Sequence, residues 1–329
     1  MFSDSYRALK QAAAIGAVAP RTAIGVSGKD RAAYLQGLLT NDVQALEAGT
    51  GCYSAWLTPQ GRMLTDLHIF ESGDMILLDV PVADGAATLQ RLDQFLFSED
   101  VQFADLSESL TSVWVHGPEA GALLGQLLTV DGLNQWAEYQ NARAEFSGSP
   151  VVVARVSQLG VPGFCVYVEA SRAEDLKQAL QAAGATHADP AAIETARIEA
   201  GYPLFGVDMT EDTIPLEAGI EGRAISLSKG CYVGQEVIIR VLHRGQGRVA
   251  RKLIALRIDA DPPARGAKIW SGDREIGFVT SAAPASRSGA VALGYVHRDF
   301  VEPATRVEID GGSGRVAALV SERPIPAEA

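Results

Sequence analysis

Lys229-Gly230-Cys231-Tyr232-Val233-Gly234-Gln235-Glu236 gathers a cation, a thiol, an aromatic ring, two hydrogen-bonding side chains and two permissive glycines into eight residues. Around it, Arg223 to Lys252 holds seven basic residues against one acid, Glu236, a balance of +6 in a chain whose formal net charge is −12. So local a reversal of sign points to an anion bound nearby. The acidic remainder excludes a general nucleic-acid coat or an anionic membrane surface as partner.

Downstream, short apolar strands near Leu253–Ile258, Lys268–Trp270, Glu275–Ser281, Ala290–Val296 and Thr305–Ile309 alternate with Gly, Pro and Asp turns. That pattern predicts a small β-barrel, followed by a polar tail after Ser321 that reads as frayed. Upstream, Tyr202–Ser228 is loop-like, and Asp189-Pro190 sets an N-cap and a first-turn proline for a helix that stops at Gly201. Glu199 falls at the carboxyl end of that helix, where the dipole disfavours an anion unless donors meet it.

The first half mixes strands and helices. Cys52–Leu57 and Arg62–Phe70 alternate around the hairpin signal Thr58-Pro59-Gln60-Gly61, and Met75–Val80 follows as a third strand. Thr22–Val26 precedes a helix capped by Asp30, and a second helix carries Ala87, Leu89, Leu92, Phe95 and Leu96. A second unit begins at Thr111–Val115, has a helix from about Pro118 to Leu128, strands at Val151–Val156 and Phe164–Val168, and a capping box at Ser171 and Glu174 opening a last helix. The prediction is a multidomain α+β chain with antiparallel sheets packed by helices. Residues 1–249 divide into two interleaved units, about 1–110 with 190–249 and about 111–189, and 250–329 form the barrel. Val237–Leu242 is ambiguous, its β-branched residues favouring a strand.

Three widely spaced cysteines, Cys52, Cys165 and Cys231, support no disulfide framework and no self-sufficient metal or cluster site. A reducing cytoplasm is the expected compartment. No run approaches the roughly 20 apolar residues of a membrane helix, and Gly28-Lys29 lacks the other elements of a phosphate loop.

The Lys229–Glu236 string resembles the signature of the YgfZ-type folate-binding proteins, relatives of the glycine-cleavage T-protein (aminomethyltransferase). Tyr34–Val43, Ala196-Arg197-Ile198-Glu199-Ala200-Gly201 and Ile214-Pro215-Leu216-Glu217 are similar to further elements of that family, so the resemblance spans nearly the whole chain. It implies a T-protein-like fold closed by a barrel, a helix starting near Gly234, and tetrahydrofolate or folinic acid as ligand. Glu199 matches the family's pterin-binding acid. Tyr202 and Tyr232 offer walls for the flat middle of a folate, and Lys229, Arg240 and Arg244 are cations for its anionic tail.

Asp66, in Thr65-Asp66-Leu67, matches the second acid of the Asp-Asp-Leu run that carries the T-protein's catalytic aspartate. Where T-proteins have a Gly-Glu-x-Gly-aromatic-Glu run, Val161 and Cys165 replace both acids, which speaks against transfer chemistry. Cys231 beside Lys229 has the surroundings of an activated thiol. The resemblance therefore implies a tetrahydrofolate-binding accessory protein of iron–sulfur cluster assembly or repair, with cluster enzymes or carriers as partners and an indirect effect on tRNA modification. An aminomethyltransferase is the alternative, and a non-catalytic interaction protein with a vestigial pocket is a second. On the leading reading, Glu199 and Cys231 face one hollow.

Overall fold

The computed structural model describes residues 4–243, 247–285, 289–312 and 314–326. In chain order its elements are α1 (Asp4–Gln11), β1 (Ala14–Ile15), β2 (Arg21–Ser27), α2 (Arg31–Leu38), β3 (Gly51–Leu57), β4 (Met63–Glu71), β5 (Ile76–Pro81), α3 (Gly85–Gln94), β6 (Gln102–Asp105), β7 (Leu110–His116) and α4 (Ala120–Leu127). Next come β8 (Asn141–Phe146), β9 (Ser149–Arg155), β10 (Gly163–Glu169), α5 (Ala173–Ala182), β11 (Thr186–His187), α6 (Pro190–Glu199), α7 (Pro215–Ala218), α8 (Glu221–Ala224) and α9 (Gln235–His243). The last third is β12 (Arg251–Ile258), β13 (Lys268–Ser271), β14 (Arg274–Pro284), β15 (Ala290–His297), β16 (Arg306–Gly311) and β17 (Gly314–Ser321).

Five strands form an antiparallel sheet in the order β3-β4-β5-β2-β6, and six form a second in the order β11-β1-β7-β10-β9-β8, parallel only between β1 and β11. The hairpin between β3 and β4 closes as its turn chemistry requires: Thr58 N donates to Arg62 O at 2.8 Å, and Gly61 takes φ 76°. Alternation then sorts the side chains. Trp56, Leu67, Ile69 and Leu78 face α2 and α3, whereas Phe70 and Leu77 meet Trp114, Ala154 and Cys165 of the other sheet. The two sheets thus pack face to face with helices outside, the α+β arrangement the pattern predicted. β12 to β17 close into a six-stranded barrel.

Several local readings need correction. Val237–Leu242 is helical, because Ile238 is buried against Met63 and Leu216 while Arg240 points to solvent, a helical rather than an alternating division of faces. Asp189 caps α6 through Ala192 N at 2.7 Å, but Ser171 does not cap α5. A 3₁₀ turn over Ala170–Arg172 intervenes, and the Ser171 hydroxyl donates to Glu169 instead. Asp30 stands at the head of α2 without a side-chain cap, its carboxylate accepting from Asp100 N at 2.8 Å. The barrel has a sixth strand, β17, that the sequence pattern did not reveal.

Nor does the tail after Ser321 fray over its described part. Ile325 joins the cluster of Ile198, Leu253 and Tyr295, and its amide donates to Glu199 O at 2.8 Å.

Candidate functional site

A polar seam runs through the otherwise apolar joint between the two sheets. β4 turns Asp66, His68 and Phe70 toward the six-stranded sheet, β5 does the same with Leu77 and Asp79, and β2 contributes Arg21. The Arg21 guanidinium joins the two acids. It donates to Asp66 Oδ1 at 3.0 Å through Nη1, to Asp79 Oδ1 through Nε, and to Asp79 O at 2.8 Å through Nη2. Each carboxylate accepts one more bond from a tyrosine: Tyr53 OH reaches Asp66 Oδ2 at 2.8 Å, and Tyr167 OH reaches Asp79 Oδ2 at 2.6 Å.

Burial pushes the Asp79 carboxyl up, and Arg21 and Tyr167 pull it back part of the way. Burial and the Asp66 charge together push the Tyr53 phenol well up, so it stays a donor. Asp66 is only 2% exposed, held by two donors rather than lying on a solvent face.

Beside this seam the Arg223 guanidinium lies between two rings, 4.4 Å from the centroid of Tyr53 and 4.1 Å from that of Tyr202. Residues 40 and 41 fix that placement: Thr40 Oγ1 donates to Ala224 O at 2.6 Å and Asn41 Nδ2 to Arg223 O at 3.0 Å. Tyr202 is set by its carbonyl, which accepts from Arg197 Nη1 at 2.7 Å. His68 packs among Tyr53, Phe70, Trp114 and Tyr139, its centroid 5.4 Å from that of Tyr53 and 5.8 Å from that of Tyr139. Burial, with Arg21 and Arg223 nearby, holds its imidazole well below the ordinary range, hence neutral.

Four buried polar atoms of this cluster have no hydrogen-bond partner among the described residues: both ring nitrogens of His68, the Tyr202 hydroxyl and Arg223 Nη2. Buried polar groups are normally paired, so their concentration around Asp66 marks the site. Tyr139 and Arg223 are half-buried rather than fully enclosed.

Of the residues expected from sequence, Asp66 and Tyr202 lie in this cluster. Glu199 is at the end of α6, as expected, but donors of the chain itself meet it there. Tyr6 OH donates to its Oε2, and Lys10 Nζ stands 3.8 Å from the same atom. No ligand is needed to justify the position.

Lys229 must be corrected more sharply. Its Nζ donates to Gln36 O, Leu39 O and Asn41 O at 2.7, 2.6 and 2.9 Å, so all three ammonium protons go to carbonyls of the last turn of α2 and the loop that follows it. Nothing remains for the tail of a folate. Tyr232 is 7% exposed in the core with Leu57, Met63 and Leu216, and burial pushes its phenol up to about 12. It is a packing residue, with Lys229 Nζ 5.1 Å from its ring centroid. Arg240 is exposed on α9, Cys231 is exposed, and Arg244 lies outside the described residues.

No hydrogen bond or ring contact among the described residues joins the Lys229–Glu236 segment to Glu199. The first is tied to α2 and the second to α1. The polar centre lies instead between the sheets.

Sequence reasoning missed Arg21, Tyr53, His68, Asp79, Tyr167 and Arg223. A signal existed for Asp79, the lone acid in the apolar run Met75–Val80, and for His68, which shares the period-2 face of Asp66. Arg223 was visible only as one basic residue among seven.

Two sheets packed face to face with helices outside, followed by a closed six-stranded barrel, are the architecture of the T-protein class of fold. Comparison with known proteins agrees: residues 1–229 match the GCVT N-terminal domain and residues 251–325 the glycine cleavage T-protein C-terminal barrel domain. The chain belongs to the glycine cleavage T-protein family. An aminomethyltransferase of Rubrobacter xylanophilus is 31% identical over 306 residues, covering 92% of this chain and 78% of the relative. One from Saccharopolyspora erythraea is 30% identical over 314 residues, covering 93% and 84%. The crystal structure of glycine cleavage system aminomethyltransferase T from Bartonella henselae has the same fold, with a TM-score of 0.87 at 24% identity over 98% of this chain and 88% of that one.

These relatives overturn the expected accessory role in iron–sulfur cluster assembly, and with it the cluster partners and the effect on tRNA. That expectation rested on the Lys229–Glu236 string with Cys231 and on the absence of two acids at Val161 and Cys165, whereas the relatives similar over the length of the chain are named aminomethyltransferase. Among the described residues no helix is long and apolar enough to cross a membrane.

Proposed function

We propose that the protein is an aminomethyltransferase that passes a one-carbon unit to tetrahydrofolate. The observation that carries this reading is the setting of Asp66: a buried carboxylate held by Arg21 and Tyr53, beside tyrosine, arginine and histidine atoms that have no hydrogen-bond partner among the described residues. In the transfer, two bonds form from the carbon to folate nitrogens while its bonds to the carrier's sulfur and amine break. The two protons lost by the folate nitrogens leave on ammonia and the thiol.

A fixed carboxylate suits the positive charge that builds on an attacking amine, and one held without water contributes most. Tyr202 and Tyr139 supply flat faces for a pteridine and its linker, and the Arg223 guanidinium supplies a free N–H for an electronegative atom. Glu199 is retained as the pterin-binding acid on the strength of its family motif; Cys231 has no part in the transfer.

Cys165 is compatible with this chemistry. It stands where T-proteins carry an acid, but Asp79 projects from the opposite sheet to the neighbouring Tyr167 and returns a carboxylate to the same region. The Lys229–Glu236 string supports a placement near the YgfZ-type branch, a matter of descent that leaves the chemistry to the inter-sheet residues.

The test is release of ammonia and methylene-tetrahydrofolate from an aminomethyl-lipoyl carrier. Asp66→Asn should lower kcat by about 10²-fold or more, the scale of a positioned acid–base group, while folinic acid still binds. Absence of turnover by the wild-type protein at high concentration retires the proposal.

A further inference from the structure

The C-terminal segment reaches back to backbone that leads into two residues of the site, Tyr202 and Arg223. Arg323 Nη2 donates to Gly219 O at 2.8 Å, Arg323 Nη1 to Leu253 O at 3.4 Å, and the Ile325 amide to Glu199 O at 2.8 Å. Three parts of the chain therefore meet at one guanidinium and the residue two places on: the end of α6, the turn after α7 and the first barrel strand.

Two glycines make the space. Gly201 and Gly219 both adopt left-handed backbone, φ 65° and 64°. A Cβ on Gly201 would stand 2.1 Å from Arg323 Cγ, and one on Gly219 would stand 2.5 Å from Arg323 Nη2. A larger residue at Gly201 would collide with the stem of the Arg323 side chain, and one at Gly219 would displace its guanidinium. What that space separates is informative: Gly201 sits between Glu199 and Tyr202, and Gly219 lies four residues before Arg223. The tail grips the backbone on both flanks of the Tyr202–Arg223 pair.

Resting on the folate reading above, we infer that Arg323 is a positioning residue for the ligand site: it locks the α6 terminus and the Gly219 turn together, and so fixes the spacing of Tyr202 from Arg223. Neither Arg323 nor Ile325 is required to touch the ligand. Their effect is on how well the two flanks are preorganised, which governs affinity more than chemistry.

The test combines calorimetry with folinic acid and steady-state kinetics on the full chain. Arg323→Ala should weaken folinic acid binding and raise the folate KM at least tenfold, with kcat at saturating folate within threefold of wild type. Arg323→Lys, which retains a donor for Gly219 O, should recover part of the loss. A structural role alone would lower Tm and leave the KM-against-kcat split unmoved, so an Arg323→Ala affinity within twofold of wild type overturns the inference. Should that variant not fold, hydrogen exchange on the wild type decides: saturating folinic acid should slow exchange of the Ile325 amide at least tenfold, and an unchanged rate counts against the inference equally. Wild-type protein that takes up no folinic acid sinks the folate reading itself, a result distinct from binding that survives Arg323→Ala.

Discussion

Replacement of Asp208 by alanine should be among the most damaging single changes available, and the structure gives the reason in countable bonds. Asp208 Oδ2 accepts from Arg197 Nη1 at 2.8 Å and Leu204 N at 3.0 Å, while Oδ1 accepts from Thr280 Oγ1 at 2.5 Å and Ser281 Oγ at 2.6 Å. The carboxylate thereby ties α6 and the loop after it to β14 of the barrel. Both side chains of the Arg197–Asp208 pair are 0% exposed. Removing the acid leaves a guanidinium whose one remaining counter-charge among the described residues is the partly exposed Glu194, and strands the Ser281 hydroxyl and the Leu204 amide, while Thr280 keeps Leu293 O as acceptor. Breaking a buried ion pair from one side costs about 3–5 kcal/mol, and each stranded neutral donor adds about 1 kcal/mol or more. We expect a loss of about 5 kcal/mol by urea denaturation, with a fall in Tm on the order of 10 °C. The double variant Arg197→Met/Asp208→Ala should recover a large part of that loss, since it removes the uncompensated charge. An Asp208→Ala variant within about 1 kcal/mol of wild type, or a double variant no better than the single, would refute the argument.

His116 should make the protein acid-sensitive in a defined window. Burial draws its imidazole from 6.5 down to about 4. The unfolded chain therefore takes up a proton that the native state refuses between those values, and the stability contribution, complete above pH 6.5, is lost as pH falls toward 4, up to about 3 kcal/mol. Urea midpoints for wild type and His116→Gln at pH 7 and pH 4.5 check this: the wild type should lose more. Lys229→Met should cost about 2–3 kcal/mol, because Gln36 O and Leu39 O at the end of α2 lose this donor and Asn41 O in the loop beyond keeps only Val43 N. An unchanged denaturation midpoint would show that Lys229 does not tie its loop to that helix.

The parts of the fold that rest on nearest neighbours were legible in the sequence. Asp189-Pro190 caps α6 because both halves of the signal are local, and Thr58–Gly61 closes a hairpin because a turn needs only its own residues. Asp66 emerged through a motif and Tyr202 through the chemistry of a flat ligand. What escaped depends on chain segments far apart in number. The acceptors of Lys229 lie about 190 residues earlier, so its adjacency to Cys231 and Tyr232 suggested a ligand where the fold supplies an internal partner. The socket of Arg323 is built by Gly201 and Gly219, and nothing in Ser321–Pro326 itself announces it. Arg21 sits at a strand entrance that predicts exposure, and only the second sheet covers it.

Because β12 and β17 pair with one another, the barrel has no terminal strand and leaves no unfilled row of amides and carbonyls along its side. A partner approaching this third of the molecule cannot extend it by adding a ribbon of its own. Any docking there must be read through the side chains and loops that crown the cylinder, so selectivity at that end is a matter of rim composition rather than backbone templating.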